Sequence, residues 1–287
     1  MTHLSILKSR DKRLFAEEIH DGILRIHLSC ALSRWLKADP TCYLIDGILI
    51  DTGFAHIRDL MVRFLADYEI KAICCTHNHE DHAGNCGALS QMHDCPVYLA
   101  NPDKLWEEGV RKLAPYRRLW WGPLERYEPL DMPEVINVGG RPLRAIRTPG
   151  HSQTHVAFFE ESSRFLFAGD MYVSGGVTAI LWSEDPYASI RSLREVAALA
   201  PIKLFNGHSL VLDNAKQLLN EKADRMQEAV NLVVMMHRQG SSIQQILRRV
   251  FPHGQKKDLL FAAITGRQFS RANFVRACIV HLPENSI

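Results

Sequence analysis

Residues 76–85 read THNHEDHAGN and bring together four groups that bind divalent cations: His77, His79, Asp81 and His82, spaced His-x-His-x-Asp-His. Neutral imidazoles suit a borderline-soft ion such as zinc, and the added carboxylate supplies negative charge to a second ion. One loop cannot fill two coordination shells, so further ligands must come from later in the chain. Three candidates sit beside glycines: His151 in TPGHSQTH, Asp170 in FAGD and His208 in NGHS. A glycine lets the backbone turn sharply where a strand ends. Five histidines and two aspartates suffice for a dinuclear site with one shared carboxylate. The expected cofactor is two divalent metal ions, zinc by ligand type, with iron or manganese also accepted by such ligands.

These side chains need rigid elements beneath them. Strand patterns occur at 23–28, 42–45, 48–51, 70–75, 97–99, 135–138, 143–147, 156–159, 165–168 and 204–205. Asp46-Gly47, between two of these, is a two-residue hairpin signal because both turn positions need positive φ. The strand at 70–75 runs straight into the histidine loop, so residues 77 and 79 project to one side and 78 and 80 to the other. Ile57, Leu60, Met61, Phe64, Leu65 and Tyr68 share one helix face. Asp185-Pro186 reads as an N-cap followed by a first-turn proline. Many strands interleaved with few helices suggest two packed sheets. After His208 the pattern is helical only, at 213–239, 243–251, 259–264 and 272–282, with Gly240 as a stop. The expected division is a catalytic domain at 1–211 and a helical segment at 212–287.

At 287 residues, 46% hydrophobic and 23% charged, the chain has the composition of a globular protein, which excludes intrinsic disorder. The longest largely apolar run, 229–236, is far short of the roughly 18 residues of a membrane span. The opening MTHLSILKSRDKR lacks a secretory apolar region, so a cytoplasmic location without a membrane partner is expected. A net charge of +2 announces no nucleic-acid partner, although 238–287 carries eight Lys/Arg against two Asp/Glu. Seven cysteines (Cys30, Cys42, Cys74, Cys75, Cys86, Cys95 and Cys278), odd in number and without a Cys-x-x-Cys pair, read as free thiols. Cys74 and Cys75 are expected to pack inside their strand.

The succession LIDTG (49–53), THNHEDH, TPGH, AGD and the GH of NGHS resembles the metallo-β-lactamase superfamily of hydrolases over roughly residues 51–208. The resemblance implies an α+β fold, an αββα sandwich with metals at one edge of its sheets, here with a C-terminal helical extension. It also implies that His77, His79 and His151 bind one metal, that Asp81, His82 and His208 bind the second, and that Asp170 bridges them. Asp51 would stand behind, fixing a ligand's orientation; its alternative is a turn cap. His82 separates the chain from the main penicillin-destroying members, and the pattern is similar to the glyoxalase II branch of thioesterases and lactonases. Departures from that branch fall at Ser152-Gln153-Thr154-His155 and at Ser209. The implied activity is hydrolysis of a thioester or lactone, with a metal-bound hydroxide as nucleophile and no serine or cysteine nucleophile. Asp81, Asp51 and Tyr172 are the catalytic candidates: a proton shuttle, an orienting group and a hydrogen bond to a substrate oxygen, with simple packing as the alternative for Tyr172.

Other features divide between function and packing. His155 reads as a buried, hydrogen-bonded histidine rather than a ligand. The aromatic and basic stretch 104–121, with Trp106, Tyr116, Trp120 and Trp121, is either a lid over the metals or a helix on a sheet edge. The basic C-terminal helices, with Arg248, Arg249, Lys256 and Lys257, are a solvated face or a contact for an anionic small-molecule substrate. DNA binding is disfavoured, because 272–282 is mostly apolar where base contacts would be needed. Two rival functions are a mononuclear iron oxygenase of the same fold and a regulatory ligand-binding protein that contacts DNA or protein through these helices.

Overall fold

Short apolar runs bounded by turn residues become the strands of two sheets. In the computed structural model the described residues are 4–20, 22–102, 114–208, 210–253 and 255–282, without the side chains of 255–257. The chain divides into two compact units, one made of 1–147, 156–173 and 202–213, the other of 148–155, 174–201 and 214–287.

The first sheet, in the first unit, follows chain order: β1 (Leu4–Ser9), β2 (Lys12–Glu18), β3 (Leu24–Ser29), β4 (Thr41–Ile45), β5 (Ile48–Ile50), β6 (Ala72–Cys74), β7 (Val97–Leu99) and β8 (Leu130–Asp131). Pairing is antiparallel from β1 to β5 and parallel from β5 to β8. The β4–β5 hairpin turns at Asp46 and Gly47, with φ of 48° and 83°, as the Asp-Gly signal requires. The β1–β2 hairpin escaped the sequence reading: its turn contains Arg10 at φ 53°, a left-handed residue with no glycine to announce it. Between β3 and β4 lies α1 (Ala31–Leu36), and between β5 and β6 lies α2 (Arg58–Leu65), which buries Leu60, Met61 and Leu65. Between β6 and β7 come two helices, α3 (Glu80–Ala83), inside the histidine motif, and α4 (Cys86–His93). Next comes α5 (Pro115–Trp121).

The second sheet contains β9 (Val135–Ile136), β10 (Leu143–Arg147), β11 (Val156–Glu160), β12 (Phe165–Gly169), β14 (Lys203–Asn206) and β15 (Val211–Asp213), in the order β15-β14-β12-β11-β10-β9. One core joins the two sheets: Ile45, Ile48, Ile50 and Cys74 of the first meet Phe158, Phe167 and Phe205 of the second. Phe167 and Phe205 stack at 5.0 Å, on neighbouring parallel strands. Burying such aromatic area is the largest favourable contribution each residue can make. The expectation of two packed sheets therefore holds, and the fold is α+β.

The second unit is mainly helical, with β13 (Ile180–Leu181) paired to β16 (Phe269–Ser270). Its helices are α6 (Pro186–Ala198), α7 (Ala215–Arg238), α8 (Ile243–Val250), α9 (Gln255–Ile264) and α10 (Arg271–Val280). Asp185 caps α6, its Oδ1 accepting the N–H groups of Tyr187 at 2.8 Å and Ala188 at 3.1 Å. Among the described residues no helix is long and apolar enough to cross a membrane.

Candidate metal centre

Three strand ends deliver the ligands that lie in the first unit. After β6 the chain continues through Thr76 into His77 and His79, and α3 carries Asp81 and His82. After β12, Gly169 at φ 47° and ψ −130°, a conformation open to glycine, swings the chain into a short helical turn that begins with Asp170. β14 ends at Asn206, and Gly207 leads from it to His208. A Cβ on Gly207 would lie 2.7 Å from both Asp170 Oδ1 and His82 Cε1, so only glycine allows these two ligand candidates to meet there.

His77, His82 and Asp170 have candidate ligand atoms within 4.8 Å of one another, and so do Asp81, His82 and His208. His208 Nε2 lies 3.3 Å from Asp170 Oδ1, and His77 Nε2 lies 2.9 Å from His79 Nδ1. Two of these imidazoles are oriented from behind. His82 Nδ1 meets Asp51 Oδ2 at 2.8 Å, and His208 Nδ1 meets the Asp39 carbonyl at 3.3 Å. An ionised carboxylate only accepts, so Asp51 requires the proton on His82 Nδ1 and leaves the lone pair on Nε2. That Nε2 is buried without a hydrogen-bond partner, facing Asp170 Oδ1 at 3.4 Å and Asp81 Oδ2 at 3.9 Å. A lone pair opposed to two carboxylates is repulsive unless a proton or cation lies between them. The residues present thus fit a divalent ion.

Electrostatics agree. Burial disfavours a charged His82, yet Asp170, Asp51 and Asp81 together hold its pKa well above the ordinary histidine value. Burial likewise opposes the charge on Asp170, but His208 and His82 hold it well below the carboxylate range. His208 is raised, Asp170 overcoming the same penalty of burial. In the metal-free chain, protons on imidazoles occupy the role a cation would take among the carboxylates.

Asp51 sits at φ 60°, an uncommon conformation for a residue other than glycine. Its Oδ1 accepts the Thr76 N–H at 2.7 Å, so it caps the loop as well as meeting His82. Tyr172 is buried, and its carbonyl accepts an N–H of the Asn206 side chain at 3.1 Å. In the second unit, His151 Nδ1 lies 3.3 Å from Glu184 Oε2, an arrangement like that of His82 and Asp51. His155 is fully buried, with Nδ1 2.7 Å from Thr148 Oγ1. Cys74 and Cys75 are fully buried. Of the aromatic stretch, residues 103–113, Trp106 among them, lie outside the described residues, as do Ser209 and the side chains of Lys256 and Lys257. Its remainder is α5, whose Trp120 and Trp121 are buried.

Thr76, Asp39, Glu184 and the pair Glu80–Arg117 were not singled out from the sequence. Thr76 had a signal, a hydroxyl between strand end and first histidine: its Oγ1 donates to Asp51 and lies 3.0 Å from His77 Nδ1. Glu80 sits inside the motif itself, buried, and accepts from Arg117 Nε at 2.8 Å and Nη2 at 2.6 Å.

A family model of the metallo-beta-lactamase superfamily matches residues 38–208, more than half of the chain and the whole span of these ligands within it. The chain belongs to the metallo-beta-lactamase superfamily. Among its curated relatives in that superfamily, an atrochrysone carboxyl ACP thioesterase of Aspergillus fumigatus is 27% identical over 194 residues, covering 66% of this chain and 56% of the relative. A hydroxyacylglutathione hydrolase of Rhodopseudomonas palustris is 27% identical over 167 residues, 55% of each chain. The match thus spans little more than half the length of these relatives. A metallo-beta-lactamase family protein of Thermus thermophilus shares the fold over 97% of this chain and 95% of its own, with a TM-score of 0.61 at 20% identity.

Proposed function

We propose that the protein is a dinuclear metal-dependent hydrolase of an ester-like bond, a thioester or a lactone, in a small and preferably anionic substrate. The observation that carries this reading is the buried His82, whose Nδ1 meets Asp51 and whose Nε2 is turned toward Asp170 and Asp81. Relatives named as a thioesterase and a hydroxyacylglutathione hydrolase support the substrate class. In this reading His77, His79 and His151 hold one ion, Asp81, His82 and His208 hold the other, and Asp170 is shared. Zinc suits this donor set, with iron or manganese as alternatives. When bound, divalent ions would supply Lewis acidity there, lowering the pKa of a water to roughly 7 and polarising the substrate carbonyl.

The chain's own residues do the rest. Asp51 keeps the His82 proton on Nδ1, and the Asp39 carbonyl holds His208 Nδ1 in the same sense. Asp81, whose side chain is 13% exposed, would take a proton from the attacking water at a carboxylate oxygen and pass it to the leaving group. The role of Tyr172 toward a substrate oxygen rests on its position two residues beyond Asp170. Arg248 and Arg249, in the last turn of α8, are the candidate contacts for an anionic carrier group. The seven buried cysteines, all thiols, support a reducing, cytoplasmic setting.

The test is a hydrolysis screen of thioesters, lactones, phosphodiesters and β-lactams on protein of measured metal content. Two ions per chain with thioester or lactone turnover is the expected result. A single iron per chain without hydrolysis would replace this reading with the oxygenase one.

A further inference from the structure

The motif residue that pairs with an arginine rather than with another ligand candidate carries a charge, and burial makes that charge consequential. Glu80 is 4% exposed and lies in the first turn of α3, directly before Asp81 and two residues before His82. A carboxylate so placed needs a partner, and Arg117 of α5 supplies two N–H groups to its Oε2, with side-chain exposures of 16% and 5% for the arginine and the glutamate. Burial by itself disfavours the charged guanidinium, but Glu80, and more weakly Asp81, raise the Arg117 pKa above its ordinary value. The guanidinium is therefore tied to the ligand helix and lies within the field of one of its ligands.

We propose that Arg117 is a positioning residue: through Glu80 it sets the position of α3, and so of the Asp81 carboxylate and the His82 imidazole that the second ion would bind. This inference rests on the metal-dependent reading above. A planar guanidinium with two donors fixes orientation where a lysine would supply only a point charge. The pair also links the ligands to α5, whose Trp121 packs edge-on against Phe54 at 5.4 Å and whose Leu119 carbonyl lies 3.0 Å from His56 Nε2. Those two contacts hold α5 independently of the ion pair, and thermal stability reports whether the helix stays docked without it.

The experiment follows release of zinc from the loaded protein to a chromophoric chelator, for wild type, Arg117→Met, Arg117→Lys, Glu80→Gln and the double variant Glu80→Gln/Arg117→Met, with thermal stability measured alongside. Arg117→Met and Glu80→Gln each leave one buried charge without its partner, whereas the double variant leaves none. If the pair positions α3, one equivalent of zinc is released about tenfold or more faster in Arg117→Met, the range of losses known for groups that orient metal ligands. The double variant then releases it as fast as Arg117→Met and Glu80→Gln while recovering thermal stability, and Arg117→Lys falls between Arg117→Met and wild type. Wild-type release rates in Arg117→Met, or in the double variant, overturn the proposal, because the pair would then serve folding alone. Failure of the wild type to bind zinc or iron overturns the underlying reading instead, and the inference with it.

Discussion

Replacing Asp51 with asparagine tests the orientation of His82 with almost no change of shape. Asparagine tolerates the left-handed backbone at φ 60°, so the loop keeps its path. The hydrogen-bond pattern, however, has no solution. Asp51 Oδ1 accepts the Thr76 N–H at 2.7 Å, and Oδ2 accepts His82 Nδ1–H at 2.8 Å, so both positions require an acceptor. An amide offers one oxygen and one NH2 group. With the NH2 toward Thr76, two donors collide; with the NH2 toward His82, the imidazole proton moves to Nε2 and blocks the atom that faces Asp170. Loss of a ligand's orienting partner weakens metal binding by about 10–100-fold, or roughly 1.4–2.8 kcal/mol. Zinc affinity measured by competition with a chelator of known strength reads this directly, with far-ultraviolet circular dichroism as a check of folding. Wild-type affinity in a folded Asp51→Asn protein would refute the assignment of the His82 lone pair to a metal.

Asp170→Ala is expected to lower the content of both ions, and His208→Ala that of one, as measured by elemental analysis of dialysed protein; full retention of two ions in Asp170→Ala would remove its shared role. Gly207→Ala puts a Cβ 2.7 Å from Asp170 Oδ1 and His82 Cε1, so zinc binding should weaken about tenfold or more; an unchanged affinity would mean that the two side chains need not meet. In the metal-free chain the pKa values of His82 and His208 are raised against the penalty of burial, so the stability they lend is complete below the ordinary histidine value of 6.5 and is lost as pH rises through the raised values. Asp170, lowered, contributes above its ordinary value of 3.8 and loses that contribution as pH falls through the depressed one. The Tm of metal-free protein should therefore decline as pH rises above about 6.5 while that of zinc-loaded protein does not; parallel profiles would contradict the exchange of protons for a cation.

Much of the site was legible because it is local. Residue type and spacing in THNHEDH identify a metal loop, and the glycines before Asp170 and His208 mark strand ends that can carry ligands. Apolar runs and Asp-Gly or Asp-Pro punctuation located β4, β5, β10, β11, β12 and the start of α6 to within a residue or two, since those signals act over a few positions. Hairpin β1–β2 was not legible, because Arg10 adopts a left-handed turn that its residue type does not advertise. Nor does any composition change report that residues 148–155 and 174–201 belong to the same unit as the C-terminal helices.

What the sequence by itself determined is therefore the inventory of the centre: which groups can bind a cation, and that strand ends present them. Only the tertiary structure decided how each group is aimed. Asp51 meets His82 across 31 positions, Arg117 meets Glu80 across 37, and the Asp39 carbonyl meets His208 across 169. The physical reason is one of range. Local backbone preferences act over a few residues, whereas the partner of a buried polar atom is chosen by sheet order and core packing, which bring distant segments within about 3 Å of one another.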